Sequence, residues 1–147
     1  MKEYKVKVYP NGDKEWYLNG QLHREDGPAI EWANGNKYWY LNGQLHREDG
    51  PAVEYPNGDK YWCLNGQWHR EDGPAIECVD GRKEWYLNNQ LHREDGPAVE
   101  YVNGDKEWYL NDIRLDETEF NARTKIKEFT VADIEKLLGY SVKIVKG

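Results

Sequence analysis

One phrase of 23 residues recurs four times without insertion, which confines the chain to a small unit stacked on copies of itself. Residues 11–33 read NGDKEWYLNGQLHREDGPAIEWA, and residues 34–56, 57–79 and 80–102 repeat it with few changes. A fifth copy opens at Asn103 as NGDKEWYLND and breaks off near Asp112. The opening MKEYKVKVYP lines up with the end of a unit, because Tyr9-Pro10-Asn11-Gly12 matches Tyr55-Pro56-Asn57-Gly58. The expected organisation is a hairpin-repeat array over residues 1–111 and a helical C-terminal cap over 112–147. Within the array lie a half-unit at 1–10, units at 11–33, 34–56, 57–79 and 80–102, and a partial unit at 103–111.

The turn residues say what each unit is. Both central residues of a two-residue type I′ hairpin need positive φ, and Asn-Gly meets that need at least cost. Asn34-Gly35 is therefore expected to join a strand at 29–32 to one at 37–41, and Asn42-Gly43 to turn the chain again into Gln44-Leu45-His46. Asp49-Gly50-Pro51 ends the excursion, since Gly admits positive φ and Pro lacks the ladder donor. A two-residue turn at Asn34-Gly35 sets Trp32 against Lys37, Glu31 against Tyr38 and Ile30 against Trp39. Strand alternation then gathers Trp16, Trp39, Trp62, Trp85 and Trp108 on one apolar face with the leucines two residues on and with Ile30, Val53, Ile76 and Val99. The opposite face carries Tyr17, Tyr40, Cys63, Tyr86 and Tyr109 beside Glu31, Glu54, Glu77 and Glu100. The fold class expected is mainly β: an elongated antiparallel sheet of tandem hairpins, with equivalent residues stacked roughly 9 to 10 Å apart.

Composition agrees with a thin sheet. Hydrophobic residues make up only 38% of the chain but aromatics reach 14%, so rings supply much of the buried surface. Cys63 and Cys78 sit where other units carry Tyr or Trp; no disulfide framework follows the period, and both thiols are expected to be free, on opposite faces. That usage, the lack of any apolar stretch near the roughly 20 residues of a membrane span, and an N-terminus without the apolar core of a secretion signal point to a cytoplasmic protein. From Asp112 onward seven acidic residues balance seven basic ones, so the net charge of −7 belongs to residues 1–111. An acidic array repels phosphate backbones, and nucleic acid is not an expected partner.

The 23-residue period, the aromatic-x-x-Asn-Gly phrase and a hairpin per unit resemble MORN-type repeats over residues 11–111, and the HREDGPA phrase at 23–29 is similar to repeats in uncharacterised bacteriophage proteins. The resemblance implies a scaffold or partner-binding role and, through the second likeness, a phage-encoded protein that docks on a bacterial host protein, such as a defence protein, and inhibits or redirects it. The array departs from the MORN pattern where Arg-Glu-Asp-Gly-Pro replaces the glycines after the loop, and a membrane partner is not expected.

The tail changes character. Asp116-Glu117-Thr118-Glu119 has the form of a capping box before Phe120, and Thr130-Val131-Ala132-Asp133 that of another before Ile134, Leu137 and Leu138. Gly139 is placed as a stop, after which residues 140–145 alternate like a strand. Helix, helix, strand is the expectation, and covering the last open face of the array is its expected job.

Candidate sites follow from what the repeat does and does not explain. His23, His46, His69 and His92 share one slot, but copies about 10 Å apart cannot share an ion, so no metal or cofactor is expected. Arg24, Glu25 and Asp26, with their copies, read as a ladder of Arg-carboxylate pairs. No Ser or Cys nucleophile in a recognisable setting, phosphate loop or unique carboxylate pair is present, which points away from an enzyme. In the expected register Glu77 faces Glu84 and Glu100 faces Glu107, a destabilising arrangement that asks for a reason outside folding. Glu77, Glu84, Glu100 and Glu107, with Tyr86 and Tyr109, are therefore the expected contact surface for a protein with a basic face. A sponge for a small molecule or nucleotide, and a structural or assembly protein, are the alternatives; self-association is left open.

Overall fold

The structure, a computed structural model, describes residues 3–125, 131–139 and 141. Among the described residues twelve strands form an antiparallel main sheet, eleven in one unbroken order and the twelfth, Gln21–Leu22, paired at its side. At about 4.8 Å per strand the ordered run extends on the order of 48 Å. Each unit adds two strands to this sheet and one short hairpin beside it, as in Lys37–Tyr38, Val53–Glu54 and the pair Tyr40–Leu41 with Gln44–Leu45. Lys37–Tyr38 is paired on both edges, with Ile30–Glu31 of the preceding unit through the turn and with Val53–Glu54 of its own unit. Trp39 is the pivot between the two ladders: its N–H donates to the Ala52 carbonyl of its own unit at 2.8 Å, and its carbonyl accepts from His46 N–H at 2.9 Å. Ala29, Ala52, Ala75 and Ala98, at these crossings, are wholly buried.

The two Asn-Gly turns are different objects. Asn42-Gly43 has φ of 50° and 78°, the type I′ pattern expected, and pairs Leu41 with Gln44. At Asn34-Gly35 only the glycine is left-handed, with φ of 93°. Gly35 N–H donates to the Trp32 carbonyl at 2.8 Å and Trp32 N–H to the Asn36 carbonyl at 3.0 Å, which defines a three-residue loop, a type I turn closed by a glycine bulge. The asparagine here serves through its side chain, whose Oδ1 accepts from Asn36 N–H at 3.0 Å. The other four copies of this turn have the same backbone bonds.

That extra loop residue corrects the register and with it both faces. Ile30 opposes Tyr38 rather than Trp39, and Glu31 opposes Lys37 rather than Tyr38. Since side chains alternate, a slip of one residue exchanges the two sides of every strand it touches. One face carries the Trp column with Glu31, Glu54, Glu77 and Glu100 and with Lys14, Lys37, Lys60, Lys83 and Lys106. The other carries Ile30, Val53, Ile76 and Val99 with Glu15, Tyr38, Tyr61, Glu84 and Glu107, and with the column of Tyr17, Tyr40, Cys63, Tyr86 and Tyr109.

Units are also fastened side by side. Gly43 N–H donates to the Leu22 carbonyl at 2.9 Å, Arg24 N–H to Tyr40 at 3.0 Å, and His23 Nδ1 accepts from Asn42 N–H at 3.0 Å. Where the turn glycine is replaced, by Asn89 and Asp112, the left-handed backbone is kept, and the new Oδ1 accepts from Trp68 and Leu91 N–H, both at 2.7 Å. The array runs past residue 111, because Asn111-Asp112 forms the fifth short turn and Ile113–Leu115 pairs with Lys106–Leu110. Helix α1, Glu117–Thr124, begins with the expected capping box: Asp116 Oδ1 accepts from Glu119 N–H at 2.8 Å, and Glu119 reaches back to Asp116 N–H. Its Phe120 is buried, as is Leu115. Helix α2 spans Val131–Leu138 and is followed by Gly139 with φ of 72°. The strand expected over 140–145 lies, apart from Ser141, outside the described residues.

Candidate protein-docking surface

The repeated loop is consumed by its own fold. Arg24 Nε donates to Asp26 at 2.8 Å, and its Nη1 to the Pro28 carbonyl at 3.2 Å and to Glu31 at 3.0 Å, while the guanidinium lies 4.1 Å from the Trp16 ring centre. Arg47, Arg70 and Arg93 repeat every contact on their own units. Of the Arg-carboxylate ladder expected from HRED, the Arg–Asp pair is present within each unit, with Trp and the strand glutamate added to it, whereas Glu25 and its copies lie against the histidine. Gly27 does not use positive φ; a Cβ there would come within 3.0 Å of the Arg24 guanidinium, so glycine makes room for the clamp. The guanidiniums hold Asp26, Asp49 and Asp72 below the usual carboxylate range, by hydrogen bond first and charge second. Each histidine has its Nδ1 occupied by the N–H of the next unit's turn asparagine, and its Nε2 lies 3.5 to 3.7 Å from the glutamate two residues on.

The six residues expected to meet a partner are divided between the faces. Glu77 lies on the Trp side, opposite Lys60 and Lys83, and accepts from Arg70 at 2.7 Å; Glu100 lies opposite Lys83 and Lys106 and accepts from Arg93 at 3.0 Å. Glu84 and Glu107 are on the other side, opposite Ile76 and Val99. Glu84 is only 6% exposed and paired with Arg82; Glu107 is paired with Arg114 at 3.0 Å and accepts from the Tyr109 hydroxyl at 3.1 Å. Tyr86 opposes Leu91 in its short hairpin, and burial, then the Glu84 charge, pushes its hydroxyl up to about 12. No pair of glutamates faces across these strands, and the physical reason for singling them out is removed by the register. Cys63 and Cys78 are both free, but the corrected register puts them on one face. Cys78 aligns with Asp59, four positions from Cys63 and so roughly 13 Å along the strand, too far for a bridge.

What the face away from the Trp column does bring together is a run of rings. Trp32 meets Tyr38 at 4.9 Å between ring centres, Tyr38 meets Tyr55 at 6.1 Å, Tyr55 meets Tyr61 at 5.5 Å, and Tyr61 meets Trp68 at 5.8 Å, each edge to face. Trp32 is 40% exposed and the others are half-buried. The run exists because units two and three depart from the phrase: Tyr38 and Tyr61 stand where other units have Glu, and Trp68 where they have Leu. Aligning the units and asking which slots break the period would have found it. Along the same edge, Val79 and Val102 leave more than 60% of their surface exposed. Charged groups flank the rings: Glu15, held low by hydrogen bonds from Tyr17 and then Tyr9, sits beside Lys7 at one end, and the Arg82–Glu84 and Arg114–Glu107 pairs lie at the other.

Compared with models of known families and with curated proteins, the chain finds no match.

Proposed function

We infer that this protein is a non-enzymatic, protein-binding repeat module that docks through the ring-bearing face centred on Trp32, Tyr38, Tyr55, Tyr61 and Trp68. The observation that carries the reading is the run of edge-to-face contacts where aromatic side chains replace the Glu and Leu of other units. Rigid rings with partly exposed faces are the anchors from which protein interfaces draw most of their energy. By contrast, the Trp column offers little to a ligand, because a guanidinium already covers each of Trp16, Trp39, Trp62 and Trp85 at 3.9 to 4.2 Å. This favours a docking module over a sponge that stacks small molecules. The acidic excess of the array suits a partner whose contact surface is rimmed by basic residues. Following the HREDGPA likeness, the reading extends to a phage-encoded protein acting in the host cytoplasm on a bacterial defence protein, which it inhibits or redirects.

The test is differential capture from bacterial lysate by the native chain and by a Tyr38→Glu/Trp68→Leu variant. Both substitutions install residues that other units carry in those slots, so the fold is kept. A host protein held by the native chain and lost by the variant, with affinity reduced roughly 30-fold or more, supports the reading. The same set of proteins held equally by both would sink it.

A further inference from the structure

The two ends of the array are halves of one joint. At an internal joint Lys37 opposes Glu54, Tyr38 opposes Val53, and Trp39 N–H donates to the Ala52 carbonyl. The same set recurs where Lys14 meets Glu31, Lys60 meets Glu77 and Lys83 meets Glu100. In the last long strand, Lys106–Leu110, residues Lys106 and Glu107 pair inward with Val99–Glu100, while Ile113–Leu115 covers the outer edge only from Trp108 onward. Among the described residues no strand takes the outer side of Lys106 and Glu107; the cleft that opens beside it is lined by Trp108, Arg114 and Leu115 and, at the start of helix α1, by Asp116, Glu117 and Glu119. At the other end the strand Tyr4–Val8 is exposed along its whole length. It pairs with Lys14–Leu18 in the register of an Ala-Ile/Val-Glu strand, and among the described residues its outer edge is unpaired.

We propose that a second copy of this chain docks its Tyr4–Val8 strand on the outer edge of Lys106 and Glu107, so that the sheet continues from one molecule into the next. The register is that of the internal joints. Val8 of the second copy opposes Lys106 and its Lys7 opposes Glu107; the new ladder ends there, because Trp108 is already paired with Leu115. Charge supports the match, because the slot that holds Val or Ile within the array holds Lys at position 7, and the residue it meets is a glutamate. Within one chain Lys7 already sits against Glu15, opposite it and 3.9 Å away. Pairing of two Tyr4–Val8 strands with each other is disfavoured, because an antiparallel match centred on Val6 sets Lys5 against Lys7. The Arg114 guanidinium, largely exposed at the cleft mouth, turns outward on docking. A head-to-tail contact of this kind does not close on itself, so it builds open chains that lengthen with concentration, and its small area makes it weak and reversible.

The experiment is sedimentation of the full chain up to about millimolar concentration, the range of weak contacts, with substitutions at Val8, which is 68% exposed. Val8→Glu restores the Lys-Glu opposition of every internal joint and tightens association roughly two- to fivefold; Val8→Lys meets Lys106 and weakens it by a similar factor. Circular dichroism confirms that each variant is folded. General repulsion in a chain of net charge −7 predicts the reverse order, since the added acid would weaken association and the added base strengthen it. A chain that stays monomeric in all three forms, association that follows net charge, or association indifferent to position 8 overturns the proposal.

Discussion

Burial pushes the hydroxyls of Tyr55 and Tyr86 up to about 12, helped by the hydrogen bond with Tyr38 in one case and by the Glu84 charge in the other. The folded chain thus holds both as neutral phenols while an unfolded chain releases its protons near 10. The stability tied to them is complete below pH 10 and is lost as pH rises toward about 12, because the unfolded state there binds fewer protons. Urea unfolding followed through that window should show a falling midpoint, and at about pH 11 the native chain should show less phenolate absorbance than the denatured one. Thiol chemistry offers a second check at this scale. Cys63 is 1% exposed and its thiol is pushed up to about 11 by burial, whereas Cys78 is half-buried. A thiol reagent should label Cys78 in the native protein and Cys63 only on unfolding; equal rates would contradict the burial of Cys63.

The turn is the element that decides this fold. Gly35 and Gly81 hold the same left-handed position, with φ of 93° and 101°, but a Cβ at Gly35 would come within 2.8 Å of the Pro56 ring, while one at Gly81 meets nothing within 4 Å. Gly81→Ala should cost about 1–2 kcal/mol for its backbone alone, and Gly35→Ala at least about 1 kcal/mol more for the clash, read as a difference in urea midpoints. Equal losses would mean that the hairpin edge yields to the added methyl. The same turn explains how much of the molecule can be read from its residues. Period, hairpins and the Arg–Asp pair are legible because each is a local phrase that recurs from unit to unit, and the capping box because four neighbouring residues spell it out. The register is not, since Asn-Gly suits both a type I′ turn and a type I turn with a glycine bulge, and the two differ by one residue. That slip moved Glu77 and Glu100 to the Trp side and dissolved the facing glutamates that marked them for a partner. The deciding signal lies in the charges: one register opposes Glu84 to Glu77, the other opposes Lys83 to it, and only the second satisfies cross-strand pairing. The ring run over Trp32 to Trp68 stayed hidden for the same reason, because in the wrong register Trp32 and Tyr38 lie on opposite faces.

For the whole molecule, stability should behave as a sum over units and their joints. Deleting residues 34–56 or 80–102 removes one complete unit in either case and should leave a cooperatively melting β-protein with a lower midpoint. Only the first deletion removes Tyr38 and Tyr55, so only it should abolish capture of the partner; circular dichroism and the capture assay together check both statements. Aggregation of both shortened chains would show that the units are not independent modules. The alternating row from Lys14 through Glu31, Lys37, Glu54, Lys60, Glu77, Lys83 and Glu100 to Lys106 bears on inheritance. Each interior member has an opposite charge on both sides, so a unit gained or lost brings or takes one Lys and one Glu and leaves the row matched. Nearly identical coding stretches invite slippage and unequal exchange, and a gene altered by whole units would still encode a chain whose every strand finds a neighbour of the right sign. Array length is thereby open to mutation in single steps, while an insertion of one codon within a strand would put wrong faces together across both of that strand's pairings.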